Sequence, residues 1–228
     1  GCHWPFDQPV ALAMARDGKV PTQLHNNCSG KHAGFLCTAI HLGEDPRGYV
    51  SATHAVQRRA RDVMADLTGV RVGDETPQGI DGCSIPTYAA PLRAFADGFA
   101  KLASGRRVEA GRAKAGARLV QACMAEPWFM SGTGRACEKL MTTTPGRVFA
   151  KTGAEGVFCG AVPELGLGFA LKVEDGTTRA SEAAVAATLA TLFRGQDPAV
   201  SQAYDKQSRK TLKNWKGMEV GQLRVVGL

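Results

Sequence analysis

Arg147-Val148-Phe149-Ala150-Lys151, Gly156-Val157-Phe158-Cys159-Gly160-Ala161-Val162 and Gly166-Leu167-Gly168-Phe169-Ala170-Leu171-Lys172-Val173 are three short apolar runs separated by turn residues. Their length, their aromatic and β-branched content and the glycines between them predict consecutive strands of an antiparallel meander. Residues 180–194 carry alanine on most faces and predict a helix packed on that sheet. Upstream, the apolar period becomes helical. Helices are predicted over 9–16, from a cap at Asn27 or Ser29 to His41, and over 54–67, 92–103, 109–125 and 136–141. In the third of these, Val56, Ala60, Val63, Met64 and Leu67 recur at three- and four-residue spacing, which marks an amphipathic helix. Its first residue, His54, reads as a cap or packing residue. Thr211 to Val226 reads as a tail with one more strand, Val220 to Val226. Helices, then a meander, then a helix make an α+β layout. It has a mainly helical region over 1–145 and strands with a covering helix over 146–228.

Bulk properties narrow the function class. Hydrophobic residues make up 44% of the 228, enough for a sizeable core. There is no run of about 18 apolar residues, so no membrane-spanning helix is expected. No basic-then-apolar leader opens the sequence. The net charge of +7 comes from scattered Lys and Arg without interleaved aromatics. That argues against a nucleic-acid surface and fits a general attraction for anionic small molecules. Seven cysteines (2, 28, 37, 83, 123, 137 and 159) are an odd number at irregular spacing. This is unlike a disulfide scaffold and points to a reducing, cytoplasmic setting. Cys37, Cys123 and Cys159 sit in apolar stretches and read as core residues. Cys137, taken alone, reads as structural.

The densest chemistry lies in Asn26-Asn27-Cys28-Ser29-Gly30-Lys31-His32. A thiol, a hydroxyl, an amine and an imidazole share five residues. Cys28 and Lys31 are three apart and face the same way on a helical turn. Cys83, from the turn Asp81-Gly82-Cys83, is a second thiol. Two thiols and an amine could surround a soft divalent metal, zinc above all. Three unrelated side chains remain the plainer alternative. Lys151-Thr152-Gly153 ends a predicted strand and matches one signature of serine β-lactamases. Their nucleophile motif, Ser-x-x-Lys, does not occur in residues 1–228, so a complete site of that kind cannot be assembled from this chain.

The motifs gain meaning in order: Asn27-Cys28-Ser29-Gly30-Lys31-His32-Ala33-Gly34, Asp81-Gly82-Cys83-Ser84-Ile85-Pro86, Gly132-Thr133-Gly134-Arg135, Lys151-Thr152-Gly153-Ala154-Glu155-Gly156-Val157 and Leu171-Lys172-Val173-Glu174-Asp175-Gly176. In this the chain resembles the rhizobial-type, class 3 asparaginases, the L-asparaginase II family, along its whole length. The resemblance implies hydrolysis of L-asparagine to L-aspartate and ammonia, on a fold related to serine β-lactamases and glutaminases. It implies zinc held by Cys28, Lys31 and Cys83. His32, Asp81 and Arg135, with Thr133 and Gly134 beside the arginine, would line the substrate pocket. Lys151 would belong to a serine–lysine pair, with Cys137 close to it. A homodimer is the implied assembly. Two departures stand out. The family's serine–lysine motif would lie before Gly1, so the chain is expected to lack the family's N-terminal third. His54-Ala55 also stands where the family has His-Pro. A non-catalytic zinc-binding remnant, or an amino-acid-binding protein, is the alternative expectation.

Overall fold

A computed structural model describes all of residues 1–228. The chain divides into two compact units, residues 1–90 and 91–228. The change from helices to strands that the sequence places near residue 145 falls between Thr143 and Phe149. The compact units divide after Ala90 instead, because the helices after residue 90 pack on the strands that follow them.

The first unit holds α1 (Gln8–Arg16), α2 (Ser29–His41) and α3 (Ala55–Thr68), then a small hairpin of β1 (Gln78–Ile80) and β2 (Pro86–Tyr88). Asp7 caps α1 by accepting from the Val10 N–H, with Pro9 in the first turn. The N-cap of α2 is Cys28, whose thiol makes no capping bond. The expected caps, Asn27 and Ser29, are therefore displaced. Instead, Asn26 Oδ1 accepts from the Cys28 N–H at 2.8 Å and fixes the entry to the helix. His54 does cap α3: its Nδ1 accepts from the Val56 N–H at 3.2 Å, and its Nε2 bonds the Asp45 carbonyl at 2.8 Å. One imidazole thus satisfies a helix end and anchors the loop between α2 and α3.

The second unit contains α4 (Leu92–Ser104), α5 (Ala110–Ala125), α6 (Pro127–Ser131) and α7 (Ala136–Thr143). The antiparallel sheet β3 (Phe149–Thr152), β4 (Val157–Val162) and β5 (Leu167–Lys172) follows, then α8 (Thr178–Phe193), α9 (Pro198–Gln207) and the hairpin β6 (Lys210–Lys213) with β7 (Glu219–Leu223). The predicted meander is present, in the order β3-β4-β5, with Lys151 opposite Cys159 and Cys159 opposite Ala170. Phe158 to Val162 are all buried. A strand buried at consecutive positions must be covered on both faces. The predicted helix α8 supplies Val185, Ala186, Leu189 and Phe193 to the same core as Phe158, Val162 and Phe169, while α4 lies against β4 and β5. Between the predicted helix and the predicted tail lies α9, where the sequence reading places no element, and the tail's strand pairs with a second one over Lys210–Lys213.

Tyr204 of α9 ties the tail to the core. Its ring is fully buried and stacks on Phe193 at 6.0 Å. Its hydroxyl donates to the Leu140 carbonyl at 2.9 Å and also bonds Thr144 Oγ1. Burial pushes its ionisation up to about 12. Tyr204→Phe leaves the Thr144 hydroxyl and the Leu140 carbonyl short of a partner. It should lower stability by about 1–2 kcal/mol in urea unfolding.

Arg147 makes a second tie, pairing with Glu164 at 2.7 Å and Asp197 at 2.8 Å and lying over the Phe193 ring. The Arg147 bond, aided by the Val200 N–H, holds the Asp197 carboxyl below the usual carboxylate range. The folded state therefore binds this proton less readily than the unfolded chain. Its stabilisation is present above the ordinary value of about 3.9 and is lost as pH falls through the lowered folded value. The gap in urea midpoint between the wild type and Asp197→Asn should accordingly close as pH is taken from 7 to about 3. No helix is long and apolar enough to cross a membrane.

Candidate active-site residues

In the first unit, the segment opening α2 and the turn between β1 and β2 meet. Cys28, at the start of α2, interacts with the Cys83 thiol. One turn on, Lys31 Nζ donates to Asp81 Oδ2 at 3.2 Å, and the Cys83 thiol donates to the same oxygen at 3.2 Å. The turn has the geometry to do this. The Asp81 N–H bonds the Ile85 carbonyl, the Ser84 N–H bonds the Asp81 carbonyl, and Ser84 itself has φ of 78°. A non-glycine residue in that region is uncommon and marks a tightly specified turn. Cys28, Lys31, Asp81 and Cys83, singled out in the sequence, are therefore brought together.

Their charges are coupled. Burial of Lys31 would lower its affinity for a proton, but contacts with Cys83, Asp81 and Cys28 outweigh this and raise it. Burial of Asp81 works toward protonation, yet the bonds from Cys83 and Lys31 prevail and hold its carboxyl low. Burial pushes the Cys28 thiol up; Cys83 and Asp81 add to this and Lys31 opposes it. The resting arrangement is an ammonium–carboxylate pair beside a protonated Cys28 thiol. No group of three His, Cys, Asp or Glu side chains is placed to hold a metal by itself. The third donor of a metal site here would have to be Lys31. Two thiols and an amine are a donor set that suits zinc, once their protons leave.

His32 follows Lys31 and lies across the ring edges of Phe35 and Tyr49, with both interplanar angles at 83°. Its Nδ1 bonds the Tyr49 hydroxyl at 2.6 Å. Burial, reinforced by the Lys31 charge, lowers its affinity for a proton, so the ring is neutral at pH 7. Its Nε2 is buried without a hydrogen-bond partner. Spacing could not have revealed Tyr49, which lies 17 residues away in an irregular loop.

In the second unit, Cys137 lies in the first turn of α7 and Lys151 on β3. Cys137 is fully buried and accepts from the Thr152 N–H at 3.2 Å. Burial raises its ionisation, against the pull of that N–H and the charges of Lys151 and Arg135. It is therefore a thiol, not a thiolate, at neutral pH. Lys151, half-buried, donates to the Thr152 carbonyl at 2.7 Å. Thr133, Gly134 and Arg135 are exposed in the turn before α7, and Arg135 is its N-cap. Thr133 Oγ1 accepts from the Trp128 indole at 2.9 Å. The Gly134 N–H donates to Glu138 Oε2 at 2.6 Å, while the Glu138 N–H donates to Ser131 Oγ. Glu138, which the sequence did not single out, thus locks the turn that presents Arg135. The expectations for Cys37, Cys123 and Cys159 divide. Cys159 is buried in β4, and burial pushes its thiol up to about 11. Cys123 is half-buried and packs against the core, whereas Cys37 is exposed, as is Cys2. No cysteine is in a disulfide.

The family model described as L-asparaginase II matches residues 1–225, nearly the whole chain. No curated protein matches it.

Proposed function

Because the chain belongs to the L-asparaginase II family, we propose that it serves the hydrolysis of L-asparagine to L-aspartate and ammonia. The observation that carries this reading is the convergence of Cys28, Lys31, Asp81 and Cys83, four motif residues from two segments about fifty positions apart. Conversion of a side-chain amide needs a nucleophile, a donor for the oxyanion and a way to grip the substrate's charged ends. By the family resemblance Arg135, in the second unit, is the residue expected to grip a substrate carboxylate. His32 offers an unsatisfied ring nitrogen, and Asp81 a carboxylate for an ammonium group. Zinc held by Cys28, Lys31 and Cys83 would supply fixed positive charge that orients a carboxylate and stiffens the Asp81 turn. To serve as a ligand, Lys31 would have to lose its proton to solvent, which would free Asp81 from their ion pair.

Lys151 is suited to act as the base of a serine–lysine pair. Its amine is half-buried and is held by a single carbonyl, that of Thr152. Cys137 stands by as a neutral thiol that shapes the surroundings of Thr152, not as an attacking group. None of the chain's serines stands in Ser-x-x-Lys. In this reading the attacking hydroxyl comes from outside residues 1–228, on a β-lactamase-like fold. A homodimer goes with it by the family resemblance, and a cytoplasmic setting by the cysteine usage.

The test is ammonia release from L-asparagine, with residues 1–228 alone and with the complete polypeptide its gene encodes. The expected result is turnover by the complete polypeptide and none by the chain alone. Turnover by the chain alone would overturn the external serine. Binding of asparagine without turnover in both would favour an amino-acid-binding protein.

A further inference from the structure

Tyr49 is not among the motif residues, yet it makes a short polar contact beside the site. The loop that carries it is held at both ends. The Glu44 N–H bonds the Ala39 carbonyl at 2.8 Å, Arg59 pairs with Glu44 at 2.7 Å, and His54 bonds the Asp45 carbonyl. Tyr49 is therefore delivered to His32 by an anchored segment. Its ring meets the imidazole edge-on at 5.5 Å, and Phe35 meets it from another direction at 6.4 Å. The imidazole plane is confined by two aromatic rings and one hydrogen bond.

A phenol is a far better proton donor than a neutral imidazole N–H, and a neutral imidazole nitrogen is a far better acceptor than a phenol oxygen. The 2.6 Å contact between Tyr49 Oη and His32 Nδ1 is thus an O–H···N bond. With Nδ1 accepting, the ring proton of neutral His32 must be on Nε2. That nitrogen is the one buried without a partner. A buried donor left unpaired costs free energy, and an acceptor arriving with a ligand recovers it.

We propose that Tyr49 is a positioning residue that locks His32 in its Nε2–H tautomer, so that this N–H is presented to an acceptor oxygen of the substrate. The substrate part of this inference rests on the asparagine reading above; the tautomer does not. Replacing Tyr49 by Phe keeps the ring contact and removes only the donor.

Long-range nitrogen–proton NMR on protein labelled at histidine separates the two parts. In the wild type, His32 is expected to show a protonated Nε2 and an imine-type Nδ1. In Tyr49→Phe the two signals should move toward averaged values. In the complete polypeptide, the same variant should raise KM for L-asparagine about tenfold, with kcat changed less than about twofold. A wild-type His32 protonated on Nδ1, or signals identical in both proteins, would overturn the proposal. The wild-type spectrum alone decides the tautomer if Tyr49→Phe fails to fold. Expected nitrogen signals without any asparagine turnover would uphold the tautomer and sink the functional reading. Signals as expected with KM unchanged would overturn the presentation of Nε2–H to substrate.

Discussion

Replacing Cys83 by serine is expected to weaken zinc binding more than about a hundredfold, since even outer-shell partners of a metal ligand are worth 10–100-fold. Serine keeps the size of the side chain and can still donate to Asp81 Oδ2, as the thiol does at 3.2 Å. What it removes is the soft sulfur donor. The effect is large because the proposed donor set has no spare member: Cys28, Lys31 and Cys83 are its three groups, and Lys31 would first have to surrender a proton that Asp81 helps it keep. Cys28→Ser should behave alike. Calorimetric titration with zinc reads the change directly. Titrations of both variants within about threefold of the wild type would show that the thiols are not ligands. Asparagine turnover by the complete polypeptide should fall with the metal.

Gly168→Ala should cost about 3 kcal/mol, at the upper end of what overpacking inflicts. A Cβ at this position of β5 would lie 2.0 Å from the Ala96 carbonyl oxygen and 2.6 Å from the Ala100 nitrogen of α4. Both are backbone atoms in mid-helix, so no rotamer change relieves the overlap. The helix must retreat from the sheet, and it takes Phe99 with it, which stacks on Phe149 at 5.8 Å. Gly195→Ala is the control, because nothing lies within 4 Å of its added carbon. It should stay within about 0.5 kcal/mol of the wild type. Urea unfolding followed by tryptophan fluorescence compares the two. Equal midpoints would mean that α4 does not lie on β5 at Gly168.

The legible parts of the chain were those with a strong local period. The meander stood out because turn glycines separate three apolar runs, and α8 because its alanines let it pack close. α9 escaped notice although Asp197 and Pro198 spell a helix start, with Asp197 Oδ1 accepting from Val200 and proline in the first turn. Its buried face is dominated by one residue, Tyr204, too little for a visible stripe. The division after Ala90 was hidden for another reason. Helical period says that α4 is a helix but not that its partner is β5, and that pairing rests on a glycine seventy residues away. The cluster at Cys28 was visible as chemistry, and motif order pointed to Cys83. Tyr49 and Glu138 act through loop geometry, which has no period to read.

X-ray absorption at the zinc edge, on protein loaded with zinc, tests the metal site proposed at Asn26–His32 most directly. The first shell should hold two sulfur atoms at about 2.3 Å and lighter donors at about 2.0–2.1 Å. It should drop to one sulfur in Cys28→Ser if any metal is retained. A shell with no sulfur, or with four, would contradict a site made of Cys28, Lys31 and Cys83.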